Sequence, residues 1–255
     1  MKSALILYHH GLGDVIMLTP LLRELHAQGY ETDLMCREPV ITSHLLDECP
    51  YVRGLIGIEN PWWSKLGRGK QMRKNLEQFN ELNKAYDWSG KVESHGRGNR
   101  IAKNFKITGL PVAEDLQPEV FIPVNVEAEA MNYINKNYPD GYIFNHTKSE
   151  LHEGHNWDSS DWIANNLPNL PVIDTSDGSG THRNFHEDIN FSFVLAREAE
   201  HRVVCSSVFA HACDAMKCTI DALAHGPLYG CKLDFRLANK QNILNIRKGG
   251  VWTTQ

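Results

Sequence analysis

Ser3-Ala4-Leu5-Ile6-Leu7-Tyr8-His9-His10-Gly11-Leu12-Gly13-Asp14-Val15-Ile16 is the stretch whose reading decides the fold. Residues 3–8 are a short apolar run without a polar alternation, the pattern of a strand buried on both faces of a parallel sheet. Gly11 and Gly13 then make a turn in which backbone amides can approach a ligand at a helix N-terminus. Beyond it Val15, Leu18, Leu21, Leu22 and Leu25 recur at helical spacing, which predicts one helix over 15–27, closed by Gly29. A second strand over 32–36, a second helix around 43–46 and a third strand over 55–58 continue the series. Strand, helix, strand at this pitch is a right-handed βαβ unit.

The rhythm returns after a looser middle. Residues 119–122 read as a strand closing the first half, and 127–137 as a helix opening the second. Strands then follow over 142–145, 172–174, 202–205 and 219–223, with helices over 159–165, 190–199 and 208–216 between them. The expectation is an α/β chain of two Rossmann-like, doubly wound parallel-sheet domains, 1–125 and 126–255, with a cleft between them. In such sheets ligands bind outside the carboxyl ends of the strands.

Composition narrows the class. With 42% hydrophobic and 22% charged residues over 255 positions, the chain reads as a globular protein with a sizeable core. Its apolar runs fall short of the roughly 20 residues a spanning helix needs, so no stable membrane insertion is expected. The run after Met1 enters a glycine turn rather than a small-residue cleavage site, and reads as a strand of a cytoplasmic protein rather than a leader. Six cysteines without CxxC spacing read as free thiols, and no metal site is expected.

The formal net charge is −5, yet residues 62–106 hold eleven Lys and Arg against four Asp and Glu. Such a stretch suits an anionic partner, or is simply a solvated surface. Trp62 and Trp63 flank it and could stack on a sugar or a base, or pack inside.

Asp14 is the sharpest chemical candidate. The turn is not the dinucleotide fingerprint, because the third glycine position falls on Ile16. A carboxylate there can cap the following helix, which the motif alone favours. It can also take a proton from an acceptor hydroxyl, since it stands at the carboxyl end of a strand.

The stretch His10-Gly11-Leu12-Gly13-Asp14-Val15 with Thr19-Pro20-Leu21, and then Leu45-Leu46 and Cys49-Pro50-Tyr51-Val52, resembles the start of the lipopolysaccharide heptosyltransferases, glycosyltransferase family 9. The resemblance implies a GT-B-like fold, an acceptor on the first domain, a nucleotide-sugar donor on the second, and metal-independent inversion at the anomeric carbon. It makes Asp14 the general base. No cofactor is implied, since the nucleotide sugar is a co-substrate.

In the second half Phe144-Asn145-His146-Thr147, Asn156-Trp157 and Asp161-Trp162 resemble the family's donor-side strand and its Lys-x-Trp block. His146 and Thr147 are thereby donor candidates. The family's phosphate-contacting lysine falls on or beside His155, with Lys148 as a substitute. Cys205-Ser206-Ser207-Val208-Phe209-Ala210-His211 resembles the family's Asp-Ser-Gly-Pro-x-His motif, which makes Ser206, Ser207 and His211 donor-binding candidates. Here Ser206 replaces the family's aspartate, and Val208-Phe209 its Gly-Pro. On the acceptor side Gly11, Gly13, His95, Arg97 and Arg100 are implied, the last three where the family has a strand followed by Gln-Gly and a basic residue.

The activity expected is sugar transfer from a nucleotide sugar to a hydroxyl of an anionic acceptor. That acceptor is a lipopolysaccharide-type glycan or, since the chain is short and divergent, a hydroxymethylated base in phage DNA. A non-catalytic nucleotide-sugar-binding protein on the same scaffold is the alternative. A dehydrogenase is a third, weaker for Ile16. Oligomeric state, sugar and nucleotide are not specified by the sequence.

Overall fold

The computed structural model describes residues 2–61, 64–92, 100–147, 157–176, 189–225, 240–246 and 252–254, with backbone alone at 225, 240–246 and 252–254. The chain divides into two compact units, Met1–Glu119 and Val120–Gln255. The second therefore begins before the boundary at 125 expected from sequence.

The first unit is a four-stranded parallel sheet of β1 (Lys2–Leu7), β2 (Tyr30–Arg37), β3 (Val52–Ile58) and β4 (Trp88–Lys91), in the order β3-β2-β1-β4. Ala4, Leu5, Ile6 and Leu7 of β1 are buried, as a central strand covered on both faces requires. The strand order reverses at β1, so the carboxyl ends of β1 and β4 lie at the topological switch point of this sheet.

The single helix expected over 15–27 is two, α1 (Leu12–Ile16) and α2 (Thr19–Ala27). Pro20 has no N–H to give the Ile16 carbonyl, and Thr19 Oγ1 donates to that carbonyl instead, at 2.8 Å. The second predicted helix is displaced too. α3 spans Glu38–Thr42 with Pro39 in its first turn, and residues 43–48 are turns. Gly29 sits at φ +83°, a conformation that suits a residue without Cβ at the end of α2.

α4 (Arg68–Leu82) follows the basic loop, and α5 (Arg100–Thr108), which the sequence pattern did not reveal, buries Ile101, Asn104 and Phe105. Residues 119–122 do not form the expected strand. The Glu119 N–H instead donates to Thr19 Oγ1 at 2.8 Å, and its carboxylate meets Arg23 at 2.8 Å, so the segment is tied to α2 rather than to a sheet.

A clasp pins the lower edge of this sheet. Arg53 of β3 donates to both carboxylate oxygens of Asp33 on β2, at 3.0 and 2.5 Å, and the Tyr86 hydroxyl adds a third bond at 2.6 Å. Burial pushes the Asp33 carboxyl upward, but the bonds from Arg53 and Tyr86 and the Arg53 charge outweigh it, leaving the group below its ordinary value.

The second unit holds a six-stranded sheet in the order β10-β9-β8-β7-β5-β6. Its strands are β5 (Ile143–His146), β6 (Val172–Asp174), β7 (His201–Cys205), β8 (Ile220–His225), β9 (Lys240–Ile246) and β10 (Trp252–Thr254). All neighbours pair parallel except β9 and β10, which run antiparallel and which sequence reasoning missed. The helices are α6 (Val124–Asn137), α7 (Ser160–Asn166), α8 (Ile189–Glu198) and α9 (Val208–Ala215). One core face joins Ile143, Val203, Cys205, Ala222 and Ala224 to Trp157 and Ile163. Here the strand order reverses at β5, which puts the switch point between β5 and β7.

Arg202 of β7 closes the end of α8. Its guanidinium donates to the carbonyls of Ala196, Arg197, Ala199 (2.6 Å) and Thr219 (3.3 Å), satisfying acceptors that a helix C-terminus leaves open.

Candidate functional site

β1 delivers the chain into the glycine turn with Tyr8 still paired, its N–H donating to the Met35 carbonyl at 2.9 Å. Gly11 is the residue that caps α1, in extended backbone (φ −81°), and no side chain bonds to the cap amides. Asp14 is thus not the cap. It lies in the first turn of α1, where a carboxylate meets the positive end of the helix.

The Asp14 carboxylate goes to Arg100, the first residue of α5, as an ion pair through Oδ1 and Nη1. Their side chains are 21% and 32% exposed, so the pair is reachable from solvent. The Tyr8 hydroxyl donates to the Asp14 main-chain carbonyl at 2.9 Å and fixes the turn from beneath. Burial first, then the Asp14 charge, hold the Tyr8 phenol well above its ordinary value against an opposing pull from Arg100. The Tyr8 ring also packs on His10, with centroids 5.1 Å apart.

Arg37, which the sequence reading passed over, belongs to the same cluster. It is the last residue of β2 and caps α3. Its Nη2 lies 3.4 Å from where a Cβ on Gly11 would be, so glycine there lets the guanidinium lie against the turn. Burial pulls Arg37 down from its ordinary value, and the Asp14 carboxylate opposes that shift. The available signal was positional: an arginine at the carboxyl end of the strand next to β1.

Of the acceptor-side candidates, Gly11, Gly13, Asp14 and Arg100 come together at the switch point of the first sheet. His95, Arg97, Trp62 and Trp63 lie outside the described residues.

In the second unit His146 ends β5 and Thr147 follows it, while Ser206 and Ser207 follow β7, the neighbouring strand. These candidates therefore share one end of one sheet. His146 is buried, its Nδ1 3.0 Å from Thr175 Oγ1 and its ring 4.4 Å from that of Phe209. The Thr147 N–H donates to Ser176 Oγ at 2.8 Å, and the Ser206 N–H to the Ala224 carbonyl at 2.9 Å. Ser207 is the N-cap residue of α9, with extended backbone and no side-chain cap bond. That leaves the first amides of an eight-residue helix available to an anion. His211 lies one turn into α9 and is 9% exposed.

Thr175 and Ser176 follow β6, on the other side of β5. The carboxyl ends of three adjacent strands thus carry hydroxyls, and two of the side chains, Thr175 and Ser176, were not anticipated. Lys148 and His155 lie outside the described residues. Beside this rim a cavity of about 590 Å³ is lined by Asn145, Ser159, Ser160 and Asp174, with Ile163 and Leu167 of α7.

Among the described residues no three His, Cys, Asp or Glu side chains are grouped to hold a metal ion, and no helix is long and apolar enough to cross a membrane. Cys36, Cys49, Cys205, Cys213 and Cys218 are free thiols.

No protein-family model and no curated protein matches the sequence. Solved structures do match. The chain is similar to a glycosyltransferase of family 9 from Veillonella parvula DSM 2008, with a TM-score of 0.64 at 10% identity, over 97% of this chain and 88% of that one. It is similar to the E. coli ADP-heptose LPS heptosyltransferase II, with a TM-score of 0.58 at 14% identity, over 98% and 92% of the two chains. It is also similar to the E. coli heptosyltransferase WaaC with ADP, with a TM-score of 0.56 at 11% identity, over 96% and 93%. At such identities the likeness is one of architecture. This chain has the GT-B-like fold of the family 9 glycosyltransferases.

Proposed function

We propose that the protein is an inverting glycosyltransferase that moves a sugar from a nucleotide-sugar donor to a hydroxyl of an anionic acceptor. One observation carries the reading. The Asp14 carboxylate stands at the switch point of its sheet in the company of arginines, whereas the hydroxyls and helix amides stand at the switch point of the other.

In the reaction Asp14 accepts the proton of the acceptor hydroxyl, and that oxygen attacks the anomeric carbon. The bond from the anomeric carbon to the diphosphate oxygen breaks, and the nucleoside diphosphate departs with the electron pair. Its charge is met by Ser206, Ser207 and the first amides of α9, with Lys148 or His155 supplying a cation. An anionic group on the acceptor competes for Arg100 and draws it from the carboxylate, which frees Oδ1 to act as a base.

Two solved neighbours are heptosyltransferases, one of them described with ADP, so ADP and ADP-sugars are the first ligands to offer. A ligand that binds only the folded chain raises its melting temperature. Asp14→Asn is expected to keep that rise and to lower transfer by about 10²-fold or more. Transfer at nearly the wild-type rate would remove Asp14 as the base.

The acceptor separates two versions. A glycan phosphate gives binding to phosphorylated saccharides, whereas a base in DNA gives duplex binding that weakens steeply with salt. The serine at 206, where the family has an aspartate, favours one rival reading, a nucleotide-sugar-binding protein without turnover. That rival predicts the thermal shift with no transfer and no donor hydrolysis.

A further inference from the structure

The inference rests on the reading of Asp14 as a base, and concerns how such a base stays ionised. One carboxylate is shared by two guanidinium groups of unequal freedom. Arg100 opens α5 and is 32% exposed, whereas Arg37 is 7% exposed at the end of β2, its Nη2 against the backbone of Gly11. Gly11 caps the short helix that carries Asp14, so Arg37 touches the same turn from the other strand. A guanidinium cannot shed its charge in a protein, so one buried this deeply needs a negative partner. Asp14 is the carboxylate whose charge acts on it.

We infer that Arg37 is a positioning residue: a fixed countercharge that keeps Asp14 ionised and in place while Arg100 is given up to the anionic acceptor. The division of labour follows from burial. Arg100 can swing to a ligand at little cost because water already reaches it. Arg37 cannot, because its last-strand position and the glycine turn hold it. Without Arg37, an Asp14 released by Arg100 would have the buried Tyr8 and its helix N-terminus for company, and its proton affinity would rise. The other ionisable groups close by are His10, against Tyr8; Cys36, beside Arg37; and Glu38, whose charge pushes the Cys36 thiol upward. None of them supplies a second fixed positive charge.

The test reads Asp14 directly. With aspartate ¹³Cγ-labelled protein, the Asp14 signal is assigned by its loss in Asp14→Asn and titrated in four forms: wild type, Arg100→Gln, and Arg100→Gln joined to Arg37→Met or Arg37→Lys. Arg100→Gln alone is expected to leave Asp14 titrating at or below an ordinary aspartate. Adding Arg37→Met raises the midpoint by about one unit or more, and Arg37→Lys returns most of it. Equal midpoints in the Arg37→Met and Arg37→Lys forms would overturn the inference. Should the double variants not fold, Arg37→Met alone must still raise the midpoint by about half a unit, and no change there overturns it equally. The two readings fail separately. Transfer that survives Asp14→Asn removes the base and leaves the titration standing, whereas an unmoved titration removes Arg37 and leaves the base.

Discussion

Arg53→Met opens the clasp between β2 and β3 and leaves Asp33 as a nearly buried carboxylate held by Tyr86 alone. Two limits bracket the loss. A fully buried pair deprived of one partner costs about 3–5 kcal/mol, and an exposed pair about 0–1. Here the Asp33 side chain is 12% exposed and that of Arg53 43%, so water screens the arginine end and about 2 kcal/mol is expected at neutral pH. With a urea slope of about 2 kcal/mol per molar, the unfolding midpoint of the first unit drops by about 1 M. The sign with pH follows from the lowered Asp33 carboxyl. Its contribution is present above the ordinary aspartate value of about 3.9 and is lost as pH falls through the folded value. Wild type and Arg53→Met are therefore expected to converge in acid. The measurement is urea unfolding at pH 7 and at about pH 3, followed by hydrogen exchange at the amides of β2 and β3, which reports this unit and not the other. A difference of the same size at both pH values would refute the electrostatic argument. So would a neutral-pH loss under about 0.5 kcal/mol.

Arg202→Met strips the donors from the carbonyls at the end of α8, and a loss of about 3 kcal/mol is expected in denaturant unfolding of the second unit. Arg202→Lys should recover less than half of it, because an ammonium group cannot span four carbonyls. The thiols give a third check. Burial pushes Cys36, Cys205 and Cys213 up to about 12 and Cys49 up to about 11. Native protein at about pH 8 should leave these four unalkylated by iodoacetamide, and denaturation should expose all of them, as read by mass spectrometry. Rapid native labelling of any of the four would show that its site opens.

The strands were legible where hydrophobicity was continuous. β1, β2 and β7 announce themselves because a buried parallel strand has no polar face to interrupt the run. The same continuity misled at 15–27, where the apolar stripe crosses Met17 and Leu18 without a gap although the backbone breaks there. Periodicity reports which side is buried, not whether consecutive hydrogen bonds persist, and only Pro20 carried that information. α5 was missed because its buried side chains, Ile101, Asn104 and Phe105, are few and one is polar. The extended stretch at 119–122 has strand-like residues but spends its polar groups on Thr19 and Arg23.

At the site, Asp14 could be named from its turn, since that turn is local. Arg37 and Thr175 could not. Each joins the cluster through a neighbouring strand, and strand order is a long-range property that single residues do not encode.

Thr19 links two places that look unrelated in the sequence. Its hydroxyl gives a hydrogen to the carbonyl ending α1 and receives one from the amide of Glu119, the residue that finishes the first unit. The Thr-Pro step of the opening motif is therefore masonry rather than chemistry: it stops one helix, starts another and anchors the tail of the unit. Anyone transplanting the Asp14 turn into another scaffold would have to carry this hydroxyl, and something for it to hold, along with the carboxylate.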